Sequence, residues 1–330
     1  MQQRSHKQLK LYIAALLALT IVLSSTSSLA QVRPGPKATA RAVSDPLLGR
    51  WDLTLKAADH QFPSWLEITK ENGEYSAQMV GRWGSARPLP RIEITEGKLT
   101  FVSPKEEEGS KEDLVFHGIF ENNALSGTVN GADGTPWTWS GERAPELKRI
   151  TPPEWGVPVP LFNGKDLTGW KMSSPGPPVW TVQDGTLVTP GNGPELTSDL
   201  PVQDFKLHIE FNCGKESNSG IYLRGRYEVQ VETDSEAEPP SHHTGGVYGF
   251  VQPYPEFPRK PDVWQSFDIT LIGRNITVVQ NGYTIINNKE IPGITGGALN
   301  SQEAQPAPIY LQGSEKGHVA FRNIILTPAK

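Results

Sequence analysis

Across residues 46–144, apolar and polar side chains alternate in short runs. Trp51-Asp52-Leu53-Thr54-Leu55, Trp65-Leu66-Glu67-Ile68 and residues 75–80 carry the period of two that sends successive side chains to opposite faces of a sheet. Residues 92–94, 99–102, 114–116, 124–127 and 138–141 continue the series, divided by turn signals such as Glu71-Asn72-Gly73 and Glu96-Gly97. Alternating runs at a spacing of about 8–12 residues predict an antiparallel β barrel or sandwich. Between two of these runs, Lys105 to Asp113 (KEEEGSKED) is densely charged and reads as a solvated loop.

Residues 145–160 are proline-rich and aperiodic, which marks a linker between two domains. Alternation resumes in residues 161–330. Phe205, Leu207, Ile209 and Phe211 alternate with Lys206, His208 and Glu210; Tyr227, Val229 and Val231 alternate with Glu228, Gln230 and Glu232. Side chains two apart share a sheet face, about 6.6 Å from one another. Each strand therefore has one face for a core and one polar row. The period leaves open whether such a row is solvated or forms the floor of a ligand site. Residues 180–182, 186–188, 220–224, 266–272, 276–280, 284–286, 308–312 and 318–326 supply further strands, with Asp184-Gly185 and Asn281-Gly282 as hairpin turns. About a dozen short strands predict a jelly-roll sandwich. Helical periodicity is nearly absent, so the expected fold class is all-β: a smaller antiparallel β domain followed by a jelly roll.

Composition adds the compartment and excludes some partners. The 32 Gly and 29 Pro follow no collagen period, and 9 Trp are too many for a disordered chain. Residues 1–30 hold Arg4, Lys7 and Lys10 and no acid, then an apolar run over 11–23 and Ser28-Leu29-Ala30. That is the pattern of a cleavable signal peptide, with Gln31 as the mature start and a flexible linker over residues 31–45. The apolar run falls short of the ~20 residues that span a bilayer. Losing these three cations takes the net charge from −5 to −8. An acidic product is no nucleic-acid binder, and after cleavage no membrane partner is expected. The only cysteine, Cys213, excludes an internal disulfide, a thiolate zinc cluster and a lipid-modified mature start. A periplasmic or secreted location follows.

The ordered landmarks of residues 160–328 resemble a known family. Leu161-Phe162-Asn163-Gly164-Lys165-Asp166-Leu167-Thr168-Gly169-Trp170 is similar to the opening signature of the 3-keto-disaccharide hydrolase domain family. Trp180, Asp184-Gly185, Asn218-Ser219-Gly220-Ile221, Arg224, Tyr227-Glu228-Val229-Gln230, Thr244-Gly245, Tyr248, Trp264 and Leu311-Gln312 continue the order. The resemblance implies a concanavalin-like jelly roll in an exported bacterial protein that cleaves or binds oxidised glycosides. A ketone at C3 of a sugar acidifies the C2 proton; a base removes it and the C1 oxygen leaves. Such a site needs a base, a group for the enolate oxygen and an acid for the leaving group, not the two facing carboxylates of ordinary glycosidases.

On this resemblance Glu228 is the leading base or metal ligand and Arg224 the group that neutralises the enolate. Asn218, Gln230, Glu232, Tyr248 and Trp264 are candidate substrate contacts. For each polar residue a structural hydrogen bond or ion pair remains the alternative. His242 and His243, downstream of Asp234, Glu236 and Glu238, can pair with Glu228 or Glu232 to hold a divalent metal ion or act as base, or simply belong to a solvated loop. Trp170, Trp180 and Trp264 are either a sugar platform or core. The chain departs from the family where Gly313-Ser314 replaces a common Asp-His pair and Gln265 a common Asn. A carbohydrate-binding protein without catalysis is the second reading.

Overall fold

The computed structural model describes residues 45–173, 179–232, 237–258, 260–314 and 316–330. The leader and most of the linker expected over residues 1–45 lie outside the described residues, as do Asp234 and Glu236. Strands make up 50% of the structure and helix 3%, so the chain is all-β.

The first sheet is built from β1 (Gly49–Lys56), β2 (Gln61–Glu71), β3 (Glu74–Val80), β4 (Arg87–Pro88), β5 (Ile92–Thr95), β6 (Lys98–Ser103), β7 (Leu114–Glu121), β8 (Ala124–Asn130) and β9 (Pro136–Arg143). Its order is β4-β3-β2-β1-β9-β8-β7-β6-β5, antiparallel throughout. Alternation places Trp51, Leu53 and Leu55 on one face with Leu66, Phe101, Phe116 and Trp139 in a single core. The charge run departs from its expected solvation. Its first turn is a short helix, α1 (Lys105–Glu108), and Glu108 is fully buried, accepting hydrogen bonds from Arg87 and Ser103, each at 2.7 Å. A buried carboxylate needs such partners; Ser103 ends β6 just before the helix, and Arg87 comes from β4.

The stretch after β9, expected as a linker between two domains, runs along the sheets that follow, within one compact unit of residues 44–330: Trp155 bridges Ala329, and β10 (Val159–Pro160) pairs with the last strand, β22 (Val319–Pro328). Between them lie β11 (Trp170–Met172), β12 (Thr181–Gln183), β13 (Thr186–Thr189), β14 (Leu196–Ser198), β15 (Phe205–Cys213), β16 (Asn218–Leu223), β17 (Tyr227–Glu232), β18 (Gln265–Ile272), β19 (Asn275–Gln280), β20 (Tyr283–Glu290) and β21 (Tyr310–Leu311). They form two sheets. The larger has the order β12-β13-β22-β15-β18-β19-β20, and the smaller β11-β14-β21-β16-β17. Phe205, Leu207, Ile209 and Phe211 of the larger meet Ile221, Val229 and Val231 of the smaller in one core, which makes a jelly-roll sandwich. Asp184-Gly185 and Asn281-Gly282 each turn with two positive φ values, as a type I′ hairpin requires.

The signature segment folds as a local turn. Asn163 Oδ1 accepts from the Lys165 and Asp166 amides, and Asp166 Oδ1 accepts from Asn163 Nδ2 and the Thr168 amide. Those bonds, the one from Asn163 foremost, hold the Asp166 carboxyl down to about 2. Trp170 donates to the Leu161 carbonyl and Trp180 to that of Pro194; both rings belong to the core. Cys213 is buried there as well, and burial pushes its thiol up to about 12.

The first sheet docks on the sandwich through the outer face of β1–β3. Trp65 and Val80 join the sandwich core rather than their own. Beside them Arg50 pairs with Glu290, and Thr54 Oγ1 lies 2.8 Å from Ser301 Oγ. Glu303 is bound by Arg274 and by the Tyr227 hydroxyl, with Asp52 of β1 next to it. Burial, and then the Glu303 charge, raise the Asp52 carboxyl to about 9, so it is protonated at the junction. Below about pH 4 both folded and unfolded chains hold this proton. Above that the unfolded chain releases it while the folded chain keeps it, so stability falls as the pH rises towards 9. Asp52→Asn mimics the protonated group and does not titrate. Its melting temperature relative to the unsubstituted protein should therefore rise steadily from pH 5 to pH 8.5 in a calorimetric series, and a flat difference would refute the assignment.

Candidate functional site

The site is assembled on β17, the edge strand of the smaller sheet. Tyr227, Val229 and Val231 point into the core, which sends Glu228, Gln230 and Glu232 to the other face. That row is not solvated: exposures are 4%, 1% and 4%. The polar row of β15 has the same period but lies on the outside of the larger sheet. There His208 pairs with Asp268, and Glu210 with Arg322 and Asn323.

Backbone hydrogen bonding at the edge explains the burial. The pairing of β16 with β17 sets Asn218, Gly220 and Tyr222 opposite Glu232, Gln230 and Glu228. The outward backbone groups of the three β17 residues bind loops instead of a further strand. The Glu228 amide donates to Thr295 Oγ1 (3.0 Å) and its carbonyl accepts from the Tyr248 amide (3.1 Å). Gln230 exchanges bonds with Gly246 and Gly245, and Glu232 with Thr244 Oγ1. The same residues that form the floor thus anchor the two walls, one around residues 244–248 and one around Thr295.

Glu228 lies flat across β16. A Cβ on Gly220 would stand 2.1 Å from Glu228 Oε1, so the carboxylate fits only because that position is glycine. The Tyr222 hydroxyl is 2.9 Å from Glu228 Oε2 and 2.8 Å from the Gly296 carbonyl, and donates its proton to either. The Gln230 amide, oriented to satisfy its neighbours, donates to Glu228 Oε1 (3.3 Å) and to the Ser219 carbonyl (2.9 Å). Tyr310 stacks on Tyr222 with centroids 4.3 Å apart, and the Glu195 carboxylate lies beyond it. Burial, then Glu228, raise the Tyr222 phenol; burial, then Glu195 and Glu228, raise that of Tyr310. Both stay protonated donors at neutral pH.

The expected residues separate into two groups. Glu228, Gln230, Glu232, Asn218 and Tyr248 come together on this face. His242 stands at its rim, stacked on Tyr248 at 4.1 Å with Nδ1 on Glu238 (2.9 Å), and His243 is held by Glu256 (2.7 Å) and the Glu238 carbonyl. Arg224 and Trp264 do not join them. Arg224 occupies a left-handed turn position after β16, and its buried guanidinium binds the Tyr227 hydroxyl and the Gly273 carbonyl on the core side. Trp264 lies under Arg322 (3.9 Å) on the outside of the larger sheet. The enolate role expected of Arg224 and the sugar contact expected of Trp264 are therefore corrected. Among the described residues no group of three His, Cys, Asp or Glu side chains is arranged to hold a metal ion.

Sequence reasoning missed Tyr222 and Tyr310. Tyr222 shares parity with Asn218 and Gly220, so the period of β16 contained it; Tyr310 reaches the site only through sheet order. The Gly313-Ser314 departure also has a physical basis. A Cβ on Gly313 would lie 2.1 Å from the Gly193 carbonyl, so no side chain fits there.

A buried carboxylate among phenols can accept a proton from a bound sugar while the phenols donate to its oxygens. The chain belongs to the family described as 3-keto-alpha-glucoside-1,2-lyase-like domain, which matches residues 157–327, just over half of the sequence. It is thus a carbohydrate-acting type of protein. Two crystal structures of candidate glycosyl hydrolases from Parabacteroides distasonis are similar to it. One is 28% identical, covering 54% of this chain and 92% of that one, with a TM-score of 0.45. The other is 18% identical, covering 54% and 100%, with a TM-score of 0.43. No curated protein matches the sequence.

Gly220→Ala should drive Glu228 off the floor. Overpacking costs about 1–3 kcal/mol, read as a lower melting temperature in scanning calorimetry. Gly220→Ala/Glu228→Ala should recover much of that loss, because the added methyl then has room; strictly additive losses would show that the two do not touch.

Proposed function

We propose that this protein cleaves 3-keto-glycosides by elimination, with Glu228 as the base. Glu228 takes the C2 proton, and the electron pair forms the enolate of the C3 ketone. Collapse of the enolate expels the C1 oxygen, which leaves with a proton as an alcohol. The sugar remains as an enone, and water added back across its double bond completes a hydrolysis. As Glu228 takes the proton it releases the Tyr222 phenol, which can then donate to the ketone oxygen as that gains charge.

The carrying observation is the Glu228 carboxylate, laid over Gly220 between a phenol and an amide. Glu232 is four residues along the same strand, roughly 13 Å away at 3.3 Å per residue. That exceeds the ~5–9.5 Å separation of paired glycosidase carboxylates, so these two do not form such a pair, and the lyase-like family supports elimination. The basic and apolar leader supports an exported protein, and N-terminal sequencing of the mature form should begin at Gln31.

The test uses 3-keto-trehalose and a 3-keto-glucoside in deuterated water. Cleavage is the expected result, giving an enone that has lost its C2 hydrogen or, where water has added back, a 3-keto sugar with deuterium at C2. Binding in calorimetry without product would favour a carbohydrate-binding protein instead, and no binding would reject both. Glu228→Gln keeps the shape and removes the base. Turnover should fall by about 10²–10⁴ with the melting temperature nearly unchanged; full activity in a stable variant would exclude Glu228 from the chemistry.

A further inference from the structure

The family match begins at residue 157 and leaves the first domain without a role. Its contacts converge on the wall that binds Glu228 and Tyr222. Thr295 accepts from the Glu228 amide through Oγ1, and its own amide donates to the Arg226 carbonyl (2.9 Å). Gly296 presents the carbonyl that competes for the Tyr222 proton. These two residues are thereby fixed on their inner side to the start of β17.

Their outer side faces the first domain, backbone against backbone. A Cβ on Gly296 would lie 2.3 Å from the Gly84 carbonyl oxygen and 2.5 Å from its nitrogen. A Cβ on Gly293 would lie 2.2 Å from Nε1 of Trp65. Trp65 is fully buried, and its ring meets Phe250 edge-on at 5.4 Å. On the other wall, Gly249 faces Ser85 with the same lack of space, one residue from Tyr248. Both walls therefore end on one short segment of the first domain, residues 84–85.

We infer that the first domain is a positioning clamp for the reaction proposed above. Trp65, Gly84 and Ser85 press the two walls against β17 and so hold the Gly296 carbonyl, the Tyr222 hydroxyl and the Glu228 carboxylate in one geometry. None of these three touches substrate; they act through Gly296 and Tyr248. The inference rests on the proposed elimination only for its kinetic consequence. The clamp itself is readable without turnover.

Gly296→Ala is the direct test, in the full-length protein. Its methyl has no room against Gly84, so either Gly296 is driven towards Tyr222 or the segment at residue 84 is pushed off the wall. Hydrogen exchange of the Glu228 and Tyr248 amides should accelerate at least tenfold, while amides of β15 and β18 keep their protection. With 3-keto-glucoside, kcat should fall about 10–100-fold, as expected for a displacement on the order of 1 Å, and KM should change less than threefold. Trp65→Phe makes the same test from the first domain's side, and carries it alone if Gly296→Ala fails to fold. Unchanged exchange at Glu228 and Tyr248 in the folded variants would overturn the clamp. So would faster exchange with an undiminished kcat. If the unsubstituted protein does not turn over the substrate, the elimination fails, and the exchange data still decide whether the clamp exists.

Discussion

An edge strand must do something with its outward amides and carbonyls. In β17 the answer organises the molecule. Alternate residues of a strand present their backbone groups to one side and their side chains to one face, so Glu228, Gln230 and Glu232 carry both the outward hydrogen bonds and the polar row. Satisfying the edge with loops brings those loops over the row. The carboxylates are then removed from water by the segments their own backbone recruits. Floor and walls are consequently one unit, and the surrounding structure can be read as support for it.

That support extends beyond the family-matched domain. The sandwich supplies the strands, the signature turn and the hairpins. The first sheet supplies Trp65, which leaves its own core to fill that of its neighbour, and a protonated Asp52 beside Glu303. Glu303 in turn holds Arg274 and the Tyr227 hydroxyl, and Tyr227 precedes Glu228 in the chain. Polar groups this deeply placed are tolerated only with each partner in register, which ties the two domains at the point where the site begins.

Strand identity was legible because period-two alternation is a local property, and so were the hairpins, because Asp184-Gly185 and Asn281-Gly282 encode their own backbone angles. The rows of β15 and β17 show where local reading stops. They are equivalent as patterns, yet one is on the outside of the larger sheet and the other beneath two loops, and only sheet order distinguishes them. Arg224 misled for a related reason. It lies two residues after Tyr222 in a strand pattern, but the strand ends at Leu223 and the turn sends its side chain to the core. Glu108 looked solvated within a charge run because its partners, Arg87 and Ser103, are brought to it by folding. The resemblance singled out Glu228 and Gln230, which share one buried face, but not the phenol of Tyr222 that binds the carboxylate.

At one point of the seam backbone lies directly on backbone, Gly296 against Gly84, and beside it Gly293 and Gly249 leave room for the Trp65 ring and for Ser85. Side chains can adjust to a new neighbour by changing rotamer, whereas main chain in direct contact cannot. Recombination at this seam would thus be unforgiving. A foreign first domain grafted onto this sandwich would have to reproduce the path of residues 83–85 to within a fraction of an ångström, and a matching sequence of apolar residues would not suffice.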